Sequence, residues 1–292
     1  MTELLDPQVT VAAAVARHAA AVAGCDVEEL HQLADLAAVT RIFAGVWTRS
    51  GGEQILPLEA LRALTHAGNY AAGAFVSGEL VGAIVGFRGE RDGVLDLHSH
   101  IMGLVPAARG RGIGYALKQH QRAWALERDL SVVTWTFDPL VRANAYLNLT
   151  KLGAVADTYL TDFYGPMTDR LNAGAETDRL LVTWRLRSRR AVLASGSPDH
   201  ARDEQEAPLA DVLLDADDAG RPRLRTAGAG RLRCHVPEDI IALRRTQPAV
   251  ARDWRLALRD TLGAAVGQGY VVTGMTRDGW YLLERDVDEA GA

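Results

Sequence analysis

The stretch LVPAARGRGIGYAL, residues 104–117, decides the predicted fold. It joins an apolar, strand-like segment at 94–105 to a helical pattern that starts near Tyr115, with a run of glycines between them. Glycine lets a ligand approach the backbone closely, and the first N–H groups of a helix bind phosphate oxygens because they have no partner within the helix. Arg109 and Arg111 add positive charge at the same place. The stretch therefore predicts a loop that holds a polyphosphate.

Two other interpretations of this loop stay open. It can be an ordinary glycine-rich turn at the start of a helix, or the turn of a dinucleotide-dependent oxidoreductase. Asp138 supports the second, because it ends the following strand where a ribose-binding acid would stand, but Tyr115 occupies the position of the third glycine in G-x-G-x-x-G. The preceding strands also form a hairpin and not a βα series. A P-loop is excluded, since no Gly-Lys-Ser/Thr follows.

The neighbouring segments predict an α/β fold built on a mixed sheet. Before the loop, the pattern predicts helices at 8–23, 35–47 and after Pro57, a short strand at 27–32, an antiparallel hairpin at 70–76 and 80–87, and a long strand at 94–105. After the loop, it predicts a helix at 115–128, a strand at 131–137, a helix at 142–152 and strands near 155–164 and 179–187.

In this context the pattern Arg109-x-x-Gly112-x-Gly114 resembles the coenzyme A signature of the GNAT superfamily, Arg/Gln-x-x-Gly-x-Gly/Ala, and the resemblance covers roughly residues 27–187. It implies a GNAT fold, with a splayed central mixed sheet flanked by helices. It implies a coenzyme A thioester, acetyl-CoA or succinyl-CoA, as the acyl donor, and no metal. The residues that it places around coenzyme A are Leu104, Val105, Arg109, Gly110, Arg111, Gly112, Ile113, Gly114, Tyr115 and Asn144.

Several longer segments resemble a narrower GNAT subfamily of acyltransferases. They are LHSH (97–100), TFDPL (136–140), NAYLNLTKLGA (144–154), YGPMTDRLNAG (164–174) and TDRLLVTWRL (177–186). Some members of that subfamily have been assigned succinyl-CoA:D-amino acid N-succinyltransferase activity. The resemblance implies acyl transfer to a primary amine, with an amino acid as the first candidate, by direct attack in a ternary complex. If the donor is succinyl-CoA, Arg142 is a candidate partner for its distal carboxylate.

Candidate catalytic residues lie on the strand before the loop and on the helix after Asp138. Asp96, His98, His100 and Met102 are expected on one strand face, because they are two residues apart. The ordinary pKa of histidine, about 6.5, makes His98 and His100 candidate general bases, although they can equally be structural residues.

The general acid is less clear from the sequence. Many GNAT enzymes have a tyrosine four residues before the glycine that closes the second helix, and Leu149 occupies that position here. Asn148 is adjacent and is a candidate for contact with coenzyme A or its sulfur. The missing tyrosine leaves open a non-catalytic module that binds coenzyme A.

Composition narrows the functional class. The chain has 292 residues, a net charge of -5 and a pI of about 5.9, which argues against a general nucleic-acid-binding protein. Cys25 and Cys234 lie far apart, so neither a disulfide framework nor a structural zinc site is expected. We find no basic leader and no apolar run of membrane-spanning length. We therefore expect a cytoplasmic protein with a small-molecule amine as its partner, and the sequence leaves a homodimer open.

The predicted domain organisation has four parts: an N-terminal helical arm at 1–26, the GNAT domain at 27–190, a linker or surface loop at 191–208, and a smaller C-terminal α+β extension at 209–292. In the extension, the four-residue spacing of Val250, Trp254, Leu258 and Leu262 predicts a core or interface stripe. Its arginines are expected on a solvated helix face: Arg244, Arg245, Arg252, Arg255 and Arg259.

Overall fold

The protein is described by a computed structural model over residues 6–47, 54–91, 93–165, 176–196, 210–228 and 230–285. It divides into two compact units, Met1–Trp135 and Thr136–Ala292. Each unit combines helices with β-strands of mixed direction, as predicted. The division falls inside the predicted domain at 27–190, and the four-part organisation stays a prediction.

The first unit has five strands in the order β1-β2-β3-β4-β5. Its elements are α1 Pro7–Ala23, β1 Asp26–Glu29, α2 Leu33–Val46, α3 Leu58–His66, β2 Tyr70–Val76, β3 Glu79–Arg91, β4 Val94–Leu104, α4 Ile113–Leu126 and the start of β5 Val132–Phe137. Neighbouring strands are antiparallel except β4 and β5, which are parallel. The alanine-rich α1 packs on α4, and α2 with α3 buries an apolar cluster that includes Leu36, Phe43 and Leu61.

The parallel strands β4 and β5 separate after a short paired region. Leu97 pairs with Val133 and His98 with Thr134, and within the described residues no β4–β5 pair follows. Both strands nevertheless continue, β4 to Leu104 and β5 to Phe137. We call the opening that begins beyond these pairs, at Ser99 on β4 and Trp135 on β5, the fork. It corresponds to the splay that the GNAT resemblance implies.

An extra residue in β4 corrects one prediction about the strand face. Val85 of β3 pairs with Ile101, but Gly86 pairs with Ser99, so His100 is left over as a bulge. Beyond it Ile101 packs against α2, and Met102 points toward α4, where its Cε would lie 3.5 Å from a Cβ on Gly114. Ser99 also faces α4, through a hydrogen bond to Lys118. The prediction that Met102 shares a face with His98 is therefore wrong, because the bulge reverses the alternation.

The second unit has seven complete strands among its described residues, in the order β7-β6-β11-β12-β10-β8-β9. Its elements are α5 Arg142–Ala145, a π-helical segment Tyr146–Lys151, β6 Val155–Leu160, β7 Arg179–Arg185, α6 Arg189–Gly196, β8 Asp211–Ala216, β9 Pro222–Leu224, β10 Leu232–His235, α7 Ile240–Thr246, α8 Pro248–Leu258, α9 Ala264–Gly267, β11 Val271–Met275 and β12 Trp280–Glu284. Only β8 and β10 pair in parallel among the described pairs.

Two predicted segments differ from the structure or lie outside it. The predicted linker at 191–208 begins inside α6, so its first residues are helical, and residues 197–208 lie outside the described ranges. Most of the motif at 164–174 also lies outside them. The predicted helix at 142–152 is one short α-helical turn followed by the π-helical segment. The C-terminal strand β11 pairs with β6 through Val272 and Ala156, so the C-terminal segment shares a sheet with β6 and β7.

The arginines of the C-terminal segment are only partly solvated, in contrast to the prediction. Arg244 and Arg255 are buried and both bind the carboxylate of Asp138, and Arg259 binds Asp178. Arg245 and Arg252 are exposed, as predicted. The apolar stripe is confirmed as core, since all its residues are buried: Val250, Trp254, Leu258 and Leu262.

None of the described helices combines the length and the apolar character that crossing a membrane requires. Both cysteines are free and buried. Within the described ranges, no group of three or more histidine, cysteine or acidic side chains is arranged to hold a metal ion.

Candidate active site

The glycine-rich loop connects β4 to α4 through a short 3-10 turn, Pro106–Ala108. Gly110 and Gly112 have φ angles of +75° and +84°, which residues other than glycine rarely adopt. Gly112 immediately precedes α4, which begins at Ile113, two residues before the predicted start. Ile113 is fully buried and fixes this end of the helix in the core.

The loop leaves its backbone open toward solvent. The first helical bond of α4 runs from the Ala116 N–H to the Gly112 carbonyl at 3.0 Å, so the N–H groups before it precede the helical ladder. Arg109 and Arg111 are exposed. A Cβ at Gly114 would make only ordinary contacts, 3.5 Å from Met102 and 3.8 Å from Leu104. Neither backbone angle nor crowding within the chain thus requires glycine at 114, which fits a ligand that approaches closely there.

The main-chain hydrogen bonds at the end of β4 distinguish the two residues predicted to contact pantetheine, Leu104 and Val105. The Val105 N–H donates to the Val81 carbonyl at 2.9 Å, and the Val105 carbonyl accepts from the Ala108 N–H at 3.0 Å. Successive residues of a strand direct their backbone groups to opposite edges. The groups of Leu104 therefore point toward the fork, and Leu104 is the better placed of the two predicted pantetheine contacts.

Asn144 and Asn148 belong to the second unit and differ in their surroundings. Asn144 is exposed on α5, and its N–H donates to the Val141 carbonyl at 3.0 Å. Asn148 is 4 % exposed and lies in the π-helical segment. The four-residue spacing therefore does not give the two amides equal access to solvent. Their contact with coenzyme A stays a prediction.

A chain of hydrogen bonds orients His98. The Thr134 hydroxyl donates to Asp96 Oδ2 at 2.8 Å, and His98 Nδ1 lies 3.2 Å from the same hydroxyl oxygen. Because this hydroxyl has one proton, its oxygen accepts from an Nδ1–H, which leaves His98 Nε2 with a free lone pair. Burial and the nearby charge of His100 lower the pKa of His98 to about 4, so its imidazole is neutral at pH 7.

His100 lies beside His98 at the bulge, with 6.4 Å between the ring centroids, and Phe87 contacts both rings. Burial lowers the pKa of His100 below its usual value. The structure therefore brings together the two histidines predicted from the sequence, on the side of β4 away from Ser99. Thr134 completes the arrangement, and no sequence signal identified it.

Leu149 stands at the usual tyrosine position, and the polar residues near it in sequence are engaged in other hydrogen bonds. Leu149 is fully buried. The Tyr159 hydroxyl donates to Asp178 Oδ2 at 2.7 Å, and the Tyr146 hydroxyl accepts from Arg277 Nε at 3.1 Å. Arg142 donates to the carbonyl of Arg277, so part of its guanidinium is already bonded.

Two further polar residues lie at the fork, where no site was predicted. Lys118 of α4 is 2 % exposed, and its Nζ donates to Ser99 Oγ at 2.8 Å. The composition could have indicated Lys118, because lysine is rare in this chain: of its 32 lysines and arginines, only Lys118 and Lys151 are lysines.

Comparison with known proteins supports the family that the loop indicates. Residues 33–153 match the model of the acetyltransferase (GNAT) family. A search of curated proteins gave no match.

Solved structures of acetyltransferases are similar in part. Ard1 from Thermoplasma volcanium is 18 % identical, with 55 % of this chain and 96 % of that chain covered and a TM-score of 0.42. The ribosomal-protein-S18-alanine N-acetyltransferase from Escherichia coli is 15 % identical, with 56 % and 94 % covered and a TM-score of 0.44. These likenesses are distant, so the similarity to the family rests on the sequence match. The segment 33–153, which contains β4, the glycine-rich loop and α4, is similar to the GNAT acetyltransferase family.

Proposed function

We propose that this protein transfers an acyl group from coenzyme A to a primary amine by direct attack in a ternary complex. The observation that carries the proposal is the loop at 109–114, which presents open backbone N–H groups and two exposed arginines next to the fork. These groups are suited to a pyrophosphate. The main chain of Leu104, directed toward the fork, is suited to the amide groups of pantetheine.

The amine must lose a proton during the transfer, and the histidine pair supports that step. Burial lowers the pKa of both His98 and His100, and His98, with a pKa of about 4, is neutral at pH 7. Thr134 and Asp96 hold His98 so that Nε2 can accept a proton. With a pKa of about 4, His98 is a weak base. We therefore favour His100 as the proton acceptor, with His98 orienting the site beside it.

The acyl donor is acetyl-CoA or succinyl-CoA, and the acceptor is a small amine, with an amino acid as the first candidate. The resemblance of the segments at 97–100, 136–140 and 144–154 to a subfamily with assigned succinyltransferases supports succinyl-CoA. Arg142 supports it less, since its guanidinium also binds the Arg277 carbonyl.

A panel assay tests the proposal directly. Release of free coenzyme A thiol is followed for acetyl-CoA and succinyl-CoA, each with D- and L-amino acids and simple alkylamines. We expect amine-dependent thiol release with at least one pair. His100→Gln is expected to lower kcat by roughly 100-fold, the usual size of a general-base contribution. Exposed His66→Gln on α3 is the control. If no acceptor gives turnover, the transferase proposal is wrong.

A second candidate is a module that binds coenzyme A without catalysis. It is favoured by the buried Leu149 at the usual tyrosine position, and by the engagement of Tyr146 and Tyr159 in other hydrogen bonds. Binding of coenzyme A without turnover of any amine in the panel would support it, and turnover would exclude it.

A further inference from the structure

Lys118 is a buried amine held by neutral groups. Its Nζ donates to Ser99 Oγ at 2.8 Å and to Gln121 Oε1 at 3.1 Å, and it lies 3.6 Å from the centroid of the Trp135 ring. Among the residues that the structure describes, no carboxylate pairs with it. A buried charge without a counter-charge is costly, and burial lowers the pKa of Lys118 well below the usual lysine value.

The position of Lys118 links it to the fork. Ser99 and Trp135, which both contact its amine, are the first residues beyond the last β4–β5 pair on their respective strands. Ser99 is 6 % exposed. Its hydroxyl oxygen accepts from Lys118, and in the part of the chain that the structure describes its own proton has no acceptor. The pair therefore offers one uncommitted O–H donor, with a buried amine behind it.

Few titratable groups surround this amine. On β4, the charge of Lys118 disfavours the protonated form of His98. On α4, Tyr115 and Arg122 stand three residues before and four residues after Lys118. On β5, Trp135 does not titrate. The protonation of Lys118 can therefore respond to a group that enters the fork.

We propose that Ser99 and Lys118 form the proton-donating pair for the departing sulfur of coenzyme A. This inference rests on the proposed transferase function. Ser99 is the residue that would touch the sulfur, and Lys118 is a positioning residue that acts through it. The pair would supply the proton that Leu149, in place of the usual tyrosine, cannot give.

The step is balanced in atoms and charge. The neutral amine nitrogen forms a bond to the thioester carbonyl carbon, and the C–S bond breaks with its electron pair on sulfur. The sulfur takes the Ser99 hydroxyl proton, and Ser99 takes a proton from the Lys118 ammonium. The proton that the new amide nitrogen loses passes to the histidine pair and solvent, from which Lys118 is protonated again. Lysine suits this cycle, because arginine does not release its proton in proteins.

Nuclear magnetic resonance gives a test that does not depend on turnover. Because the chain has two lysines, labelling with [ε-13C]lysine gives two side-chain Cε resonances, and Lys151→Arg assigns them. We expect the Lys118 resonance to titrate well below the usual lysine value and to shift when coenzyme A is added, with little change in the Lys151 resonance on that addition. In Ser99→Ala, the shift of Lys118 caused by coenzyme A should be lost. A Lys118 that titrates at the ordinary value, or ignores bound coenzyme A, overturns the proposal.

Kinetics separate this role from a structural one. Lys118→Met removes the terminal amine, keeps an unbranched side chain one atom shorter, and is expected to fold. Lys118→Met and Ser99→Ala should lower kcat by roughly 100-fold with little change in KM for acyl-CoA. Ser99→Thr should retain much of the rate because it keeps the hydroxyl, and Lys151→Met is the matched control. In the wild type, kcat should decrease at alkaline pH as Lys118 loses its proton. In the pH profile of Lys118→Met, this alkaline decrease of kcat (the alkaline limb) should be absent.

The outcomes distinguish the two proposals. A wild-type protein that transfers no acyl group refutes the transferase function and this inference with it. A wild-type enzyme that is active, with an unchanged alkaline limb and kcat in Lys118→Met, refutes this inference alone.

Discussion

Arg255 and Asp138 form a doubly hydrogen-bonded ion pair inside the second unit, with Nη1 2.8 Å from Oδ1 and Nη2 2.9 Å from Oδ2. Both side chains are buried, and Arg244 binds the same carboxylate. Burial alone would raise the pKa of Asp138, but the charges of Arg255 and Arg244 outweigh it and hold that pKa well below its usual value. The turn that follows β5 is thus fixed by residues from α7 and α8.

Removing Arg255 should destabilise the protein strongly. Arg255→Met leaves a buried carboxylate with one of its two cations, and breaking a buried pair in this way costs about 3 kcal/mol. Arg252→Met, on the exposed side of the same helix, should change the free energy of unfolding by less than about 0.5 kcal/mol. Urea unfolding at pH 7 measures both. Equal stability of the two variants would show that the pair contributes little.

The low pKa of His98 predicts a loss of stability in mild acid. The unfolded imidazole binds a proton near pH 6.5, whereas the folded one does so only near pH 4. Unfolding therefore takes up a proton in this window, and stability falls as the pH decreases from 6.5 to 4. The loss from this group is at most about 3 kcal/mol, and less in practice because the ring is partly exposed. His98→Gln should lose less stability than the wild type between pH 7 and pH 4.5, and identical losses would contradict the assignment.

Gly112 should be sensitive to substitution because of its positive φ. Gly112→Ala strains the backbone at +84° and places a methyl group at the start of α4, where the phosphates are expected. We predict at least a tenfold loss of affinity for coenzyme A. Gly24→Ala is the matched control, since Gly24 has a φ of +65° at the end of α1 and no atom within 4 Å of a built Cβ. It should cost stability and leave the affinity for coenzyme A unchanged.

Cys234 should resist thiol reagents in the folded protein. It is fully buried, and this burial raises the pKa of its thiol to about 12, so the reactive thiolate is scarce at neutral pH. Titration with an aromatic disulfide reagent should show no rapid reaction of Cys234 in native buffer, and both cysteines should react in urea. Fast native modification of the wild type that is lost in Cys234→Ala would be inconsistent with this account.

The parts of the site that depend on local sequence could be predicted. The spacing of glycines at 110, 112 and 114, with a strand before and a helix after, is local information, and it gave the loop and the start of α4 to within two residues. The histidines on β4 could be predicted for the same reason.

The remaining features depend on contacts between distant residues. The bulge at His100 reflects the register with β3, so the strand pattern alone put Met102 on the wrong face. Arg244 and Arg255 lie 106 and 117 residues from Asp138, so sequence gave no sign that these arginines would be buried. Lys118 carries a compositional signal, but it lies on α4 and its partners Ser99 and Trp135 come from two different strands, β4 and β5.

The most direct test of the central claim is calorimetric titration of the purified protein with coenzyme A, acetyl-CoA, succinyl-CoA and NAD, alongside Arg109→Ala and, as control, the exposed Arg41→Ala on α2. A lost charge-assisted hydrogen bond costs about 1.5–3 kcal/mol, which corresponds to roughly a 10- to 150-fold weaker affinity. We predict that the coenzyme A series binds and NAD does not, that Arg109→Ala weakens this binding to that extent, and that Arg41→Ala does not. Binding of NAD in preference to coenzyme A, or coenzyme A affinity unaffected by Arg109→Ala, would contradict the assignment of the loop.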